Sequence, residues 1–216
     1  DVSLFTCNTK LTHDAIEVFK YLTTSNYKPK ATYILTAPFG LKEKIMTLID
    51  YEIAIAKKGR EAFIYAKINS LSDTPIIDRL YKASGAGVQI KLIVRGICCL
   101  VPENKIWSKN IECKSIVGRY LEHSRFFIFG NEKDSKVFIS SADWMERNFN
   151  SRVETVIPIL HKKIKKEMFR IFDLQWNDNV QARRMDLPNY NKLYSEGAIK
   201  PNSQMELFDL LKQRSE

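Results

Sequence analysis

No stretch of this chain has the run of about 20 apolar residues that a bilayer-spanning helix needs. Its start lacks the charged-then-apolar pattern of a secretory leader. It opens at Asp1 and runs at once into "VSLF", as expected of a piece of a longer protein. Cysteine is scarce: Cys7, Cys98, Cys99 and Cys113 include no Cys-x-x-Cys pair and no His–Cys cluster at zinc spacing. That argues against structural zinc or any other protein-held metal, and for a reduced, cytoplasmic setting. The adjacent thiols Cys98 and Cys99 are expected to pack rather than to do redox chemistry. Nucleotide-binding glycine motifs are missing too. There is neither G-x-x-x-x-G-K-[ST] nor G-x-G-x-x-G, and Gly85-Ala86-Gly87 stops a helix ahead of a strand, the wrong order for a dinucleotide fold.

What is present is positive charge and a sizeable core. Across 216 residues, 34 Lys plus Arg face 25 Asp plus Glu, a formal charge of +9, and 44% of residues are hydrophobic. The excess favours an anionic partner such as nucleic acid, acidic lipid or a phosphate-rich molecule, although solubility alone also explains it.

Hydrophobic periodicity alternates between the helical and the extended repeat. Residues 12–23 read as a helix capped by Thr12, and "ATYILTAP" (31–38) as a strand. Residues 40–59 form a long amphipathic helix with Ile45, Leu48, Ile49, Ile53 and Ala56 on one stripe. "EAFIYAKI" (61–68) is a strand, 72–87 a well-capped helix and "VQIKLIVRG" (88–96) a strand. "IECKSIV", "RFFIFG", "KVFISSAD" and "VETVIPIL" then follow closely as strands, and 161–178 is a helix. The tail over 179–216 is sparser and ends in an amphipathic helix at 202–213. This order predicts an α/β fold: a mixed sheet with helices packed on both faces.

Several strands end in polar groups. Lys67 and Asn69 share a face at the end of one strand, Arg95 closes the next, and Arg152 and Glu154 share a face on a later one. In "EHSRFFIFG", His123 and Arg125 point the same way, about 7 Å apart along the strand. Ligands of open α/β sheets bind outside the carboxyl ends of parallel strands. Arginines with one histidine and one carboxylate are the groups expected for phosphoryl chemistry. Glu154 is the first candidate, and Glu122 the second, to brace the imidazole. The bland alternative is a set of solvated strand ends and ordinary surface pairs. His13 and His161 fall at helix starts and are read as structural, and Trp144 as core.

Four stretches together carry a likeness to a known family. "KINSLSDTPIIDRLYKASGAGVQIKLIVRGICCL", "IVGRYLEHSRFFIFG", "VFISSADWMERN" and "RVETVIPI" closely resemble the C-terminal part of bacterial polyphosphate kinase of the phosphohistidine type. The resemblance implies that 1–216 is the second phospholipase D-like domain of a larger enzyme. That enzyme moves the γ-phosphate of ATP reversibly onto inorganic polyphosphate, with Mg²⁺ accompanying the nucleotide. The phosphorylated histidine would lie in a preceding domain absent from this chain. Arg95 matches an ATP-binding arginine, and His123 a second histidine that binds nucleotide and assists proton transfer. Arg152 and Glu154 match charged residues beside them, and Arg125, Lys67 and Asn69 are candidates for phosphate binding or support. The family further implies a homo-oligomer in the cytoplasm, peripheral at most to the inner face of the membrane, with no DNA partner.

One departure stands out. The phospholipase D superfamily motif is His-x-Lys followed four residues later by Asp. Here it reads His123-Ser124-Arg125 and then Gly130, which argues against a phosphodiesterase or nuclease. A non-catalytic basic module that binds polyphosphate or nucleic acid remains the alternative.

Overall fold

The computed structural model describes residues 1–130, 135–194 and 201–213. An eight-stranded mixed sheet runs β1(Leu35–Ala37), β7(Glu154–Pro158), β6(Lys136–Ser140), β5(Arg125–Gly130), β2(Phe63–Ile68), β3(Gln89–Val94), β4(Ile111–Ile116) and β8(Ala182–Arg184) in spatial order. β2, β3 and β4 are mutually parallel, whereas β5 runs antiparallel to β2.

The central strands are apolar on both faces because both are covered. On β5, Phe127 and Phe129 enter one core, and Phe126 and Ile128 enter the other. The first core is closed by α2(Leu41–Ala56) and α3(Thr74–Gly85), through residues such as Ile45, Ile49, Ile76 and Leu80. The second is closed by α5(Lys162–Trp176), whose Met168, Phe172 and Trp176 face Phe63 and Ile93. Trp144 is fully buried in the first core against Phe127.

Two expected elements are differently bounded. α1(Thr9–Thr23) starts earlier than read, because Asn8 and not Thr12 caps it, accepting the N–H groups of Lys10 and Leu11. The strand expected over 31–38 shrinks to β1, because the N–H groups of Thr32, Tyr33 and Ile34 go to the Asp14 carboxylate instead of a ladder. The tail adds β8, unforeseen, to the sheet edge, and then α6(Ser203–Lys212). Within 179–216, residues 195–200 and 214–216 lie outside the described residues. α4(Glu146–Asn150), also unforeseen, is a short turn of helix before β7. All four cysteines are free thiols; Cys98 lies against buried Cys113 rather than pairing with Cys99. No helix among the described residues is long and apolar enough to cross a membrane.

The topology positions one loop. β4 and β5 lie on opposite sides of the β2–β3 pair. The connection 117–124 must therefore cross over the carboxyl ends of β3 and β2, where open α/β sheets place their ligands.

Candidate functional site at the carboxyl ends of the parallel strands

Of the seven residues singled out from the sequence, Arg95, Asn69, Arg125 and Lys67 meet beneath this crossing loop, and His123 lies on it. Arg95 Nε donates to Asn69 Oδ1 at 3.0 Å, joining the ends of β3 and β2. Gly96 permits this approach: its backbone N–H donates to Asn69 O at 2.7 Å, and a Cβ there would stand 3.0 Å from that oxygen. Asn69 Nδ2 donates to the carbonyl of His123 at 3.4 Å, and Arg125 Nη1 to the same carbonyl at 3.2 Å. Arg125 Nη2 lies 3.3 Å from His123 Nε2, and Asp1 Oδ2 lies 3.2 Å from Nδ1.

Lys67 is buried, with its side chain only 2% exposed. Its ammonium reaches Ser124 O at 3.0 Å, Ser124 Oγ at 2.8 Å and Glu122 Oε2 at 3.1 Å. Burial pushes its pKa down, the Glu122 carboxylate opposes that, and Arg95 and Arg125 add to it. With its three donors so engaged, Lys67 anchors the loop from beneath instead of facing an open ligand site. Glu122, the second choice as an imidazole brace, is thus the partner of Lys67 and not of His123.

Glu154 does not reach the imidazole either. Its oxygens accept from Ser141 Oγ and, at 2.5 Å, from Asn148 Nδ2. It thereby pins both ends of the turn 141–148, and the middle of that turn supplies Asp143. Glu154 does stand at the end of its strand, but Ser141 and Asn148 take both its oxygens. Asp143 was missed. Its Oδ1 accepts Arg125 Nε at 2.9 Å and the Asn69 backbone N–H at 2.7 Å. The only sequence signal was an acidic residue shortly after the strand "KVFIS". Arg152 is exposed just ahead of β7, and its guanidinium has no hydrogen-bond or ionic partner among the described residues. His13 and His161 are exposed at α1 and the start of α5, apart from the cluster.

Lys67, Arg95 and Arg125 set three positive charges against the carboxylates of Glu122 and Asp143. Lys67 and Arg125 are paired to them, whereas no carboxylate pairs with Arg95 among the described residues. Partial burial of the ring, then the charges of Arg125 and Arg95, push His123 below its ordinary value, and Asp143 opposes them. The imidazole is therefore neutral at pH 7, with a side chain 40% exposed, beside a cation free to take an anion. Such a pair can bind phosphate oxygens and exchange a proton with them. Among the described residues no group of three His, Cys, Asp or Glu could hold a metal ion.

The comparisons with known proteins concern the chain as a whole. Residues 34–204 match the family model "Polyphosphate kinase C-terminal domain 2". The chain belongs to the polyphosphate kinase family. It is 42% identical over 204 residues to a polyphosphate kinase of Bacillus anthracis, covering 94% of this chain and 29% of that protein. It is 40% identical over 213 residues to one of Vibrio cholerae, covering 98% and 30%. The crystal structure of polyphosphate kinase from Porphyromonas gingivalis superposes with a TM-score of 0.91 at 40% identity, over 97% of this chain and 32% of that one. The chain thus spans about three-tenths of the length of the polyphosphate kinases it matches. Nuc of Salmonella typhimurium, a phospholipase D family member, superposes at a TM-score of 0.51 and 16% identity, over 71% of this chain and 97% of that one. At that identity the likeness concerns fold alone, and the sheet of this polyphosphate kinase domain is phospholipase D-like.

Proposed function

We propose that this chain forms one wall of the active site of a polyphosphate kinase. The whole enzyme reversibly transfers the γ-phosphate of ATP to inorganic polyphosphate through a phosphohistidine on a preceding domain. What supports the reading is the pairing of a cation without a carboxylate, Arg95, with a neutral, half-exposed imidazole, His123, in a chain of this family. Arg95 holds triphosphate oxygens and exposed Arg152 adds charge. His123 binds nucleotide and carries the proton that phosphoryl transfer moves. Arg125, Asn69 and Lys67 fix these two in place, and Glu154 fixes the turn that holds Arg125. Catalysis of this kind is mostly positioning and charge stabilisation.

The carboxylates at the site do not suit a divalent cation, since Glu122 and Asp143 are each neutralised by a neighbouring cation. Mg²⁺ would arrive with the nucleotide, and no step on this chain depends on it. The full protein works, on this reading, as a cytoplasmic homo-oligomer on ATP and polyphosphate, with no role for DNA.

Changing His123 to Ala in the full-length enzyme tests this. A catalytic wall loses most of kcat, whereas a module that only binds polyphosphate keeps kcat and loses affinity. The isolated chain should show no ATP-dependent polyphosphate synthesis, because it lacks the phosphorylated histidine; measurable synthesis would sink the assignment.

A further inference from the structure

The loop that carries His123 has no regular structure of its own, and side chains remote in sequence dictate its path. Gln204, in the first turn of α6, is buried against it. Its Oε1 accepts the Tyr120 N–H at 2.9 Å, and its Nε2 donates to the Tyr120 carbonyl at 2.7 Å. The amide thus meets both backbone groups of one loop residue, as a neighbouring strand would. The same Nε2 also donates to Glu122 Oε1 at 2.9 Å. Gln175 on α5, equally buried, donates to Glu122 Oε2 at 2.8 Å. Glu122 then meets Lys67 from beneath, and Lys67 holds Ser124 on the far side of His123. The tail touches the loop once more at Gly118, where an added Cβ would lie 2.3 Å from the Gln181 amide.

His123 therefore sits between two clamped points, Glu122 and Ser124. Its own ring contacts are long and half in solvent: 3.3 Å to Arg125 and 3.2 Å to Asp1. The imidazole's place is set through the backbone, which α5 and α6 hold on the side of Tyr120 and Glu122, while Asn69, Arg125 and Lys67 hold the carbonyls of His123 and Ser124. Arg95, Asn69 and Arg125 are organised differently, by Asp143 and by each other, without help from the tail.

We propose that Gln204, with Gln175, is a positioning residue for His123, so that the C-terminal helix completes the phosphoryl-transfer site. This rests on the reading of His123 as a proton-transfer group. The two clamps predict a split between steady-state constants. Loosening the Gln204 clamp moves the imidazole and leaves the phosphate-binding Arg95 where it is. A misplacement of about 1 Å costs up to about 100-fold in rate.

The test uses the full-length enzyme with three variants: Gln204→Ala, Gln204→Glu and His123→Ala. Glu at 204 keeps length and volume, but sets a carboxylate against the Tyr120 carbonyl and Glu122. Both Gln204 variants should lower kcat about tenfold or more, with the KM for ATP held within about twofold and thermal unfolding showing that both variants are folded. A Gln204→Glu enzyme with full kcat would overturn the proposal, since space-filling would then suffice. So would a rise in KM without a fall in kcat. If His123→Ala retains kcat, the reading of the site itself fails. If His123→Ala is inactive while Gln204→Ala is not, only the positioning role fails.

Discussion

Asp143 and Arg125 face each other at the end of the sheet, Oδ1 accepting from Nε at 2.9 Å, with side chains only 9% and 14% exposed. The same oxygen accepts the Asn69 N–H, so one carboxylate ties the start of β5 to the end of β2. Removing one partner of a buried pair leaves the other charge uncompensated. Asp143→Ala should cost about 3 kcal/mol of stability in urea unfolding. Asp143→Asn keeps an acceptor for Asn69 and should cost less. Adding Arg125→Met to Asp143→Ala should recover part of the loss. A cost below about 1 kcal/mol for Asp143→Ala would reduce the pair to an ordinary surface contact.

His123 should titrate below its ordinary value, since burial and then Arg125 and Arg95 disfavour the imidazolium. The unfolded chain takes up this proton near pH 6.5, roughly, and the folded chain only at lower pH. The contribution of the neutral ring to stability is thus full above that ordinary value and is lost as pH falls to the lowered one. NMR titration of the His123 Cε1–H checks the position. Arg95→Met should move it upward, and so should tripolyphosphate bound at Arg95, by replacing a repelling charge with an attracting one. A value unmoved by both changes would separate His123 from the cation cluster.

Asp178 docks the tail. It is almost fully buried. Oδ1 accepts the N–H groups of Val180, Gln181 and Ala182, while Oδ2 accepts the N–H and hydroxyl of Ser203. Burial pushes its pKa up, but the hydrogen bonds from Ser203, Gln181 and Ala182 together outweigh it and leave the group below its ordinary value. Its contribution to stability is therefore present above the unfolded value of about 3.9 and is lost as pH falls through the folded one. Asp178→Ala should cost at least about 2 kcal/mol at pH 7 by leaving buried donors unpaired. Amide exchange across 180–184 and at the start of α6 should accelerate. Unchanged exchange there would show that the tail is held by other contacts.

The parts of the fold that could be read from the sequence are those whose pattern is local and long. α2 and α3 carry their stripes and terminators within themselves, and "RFFIFG" announces a strand buried on both faces. Short or polar elements could not be read so. β8 is three residues, "ARR", and becomes a strand only because β4 offers it an edge. The strand at 31–38 was overestimated because Asp14, far back in the chain, takes the N–H groups that a ladder would have used.

The same division runs through the site. Composition and strand-end position were enough to single out Arg95, His123, Arg125, Lys67 and Asn69, since a polar or charged group at the end of an apolar strand is visible in one dimension. Which carboxylate meets which cation was not visible there. Asp143, Gln175 and Gln204 lie 20, 52 and 81 positions beyond His123; the turn 141–148 brings Asp143 to Arg125, and the path of the 117–124 loop across the strand ends brings Tyr120 and Glu122 to Gln175 and Gln204. Periodicity records which face of an element is apolar, because burial acts residue by residue. Side-chain partnership depends on distances between elements, and those are set when the sheet order and the docked tail close the fold.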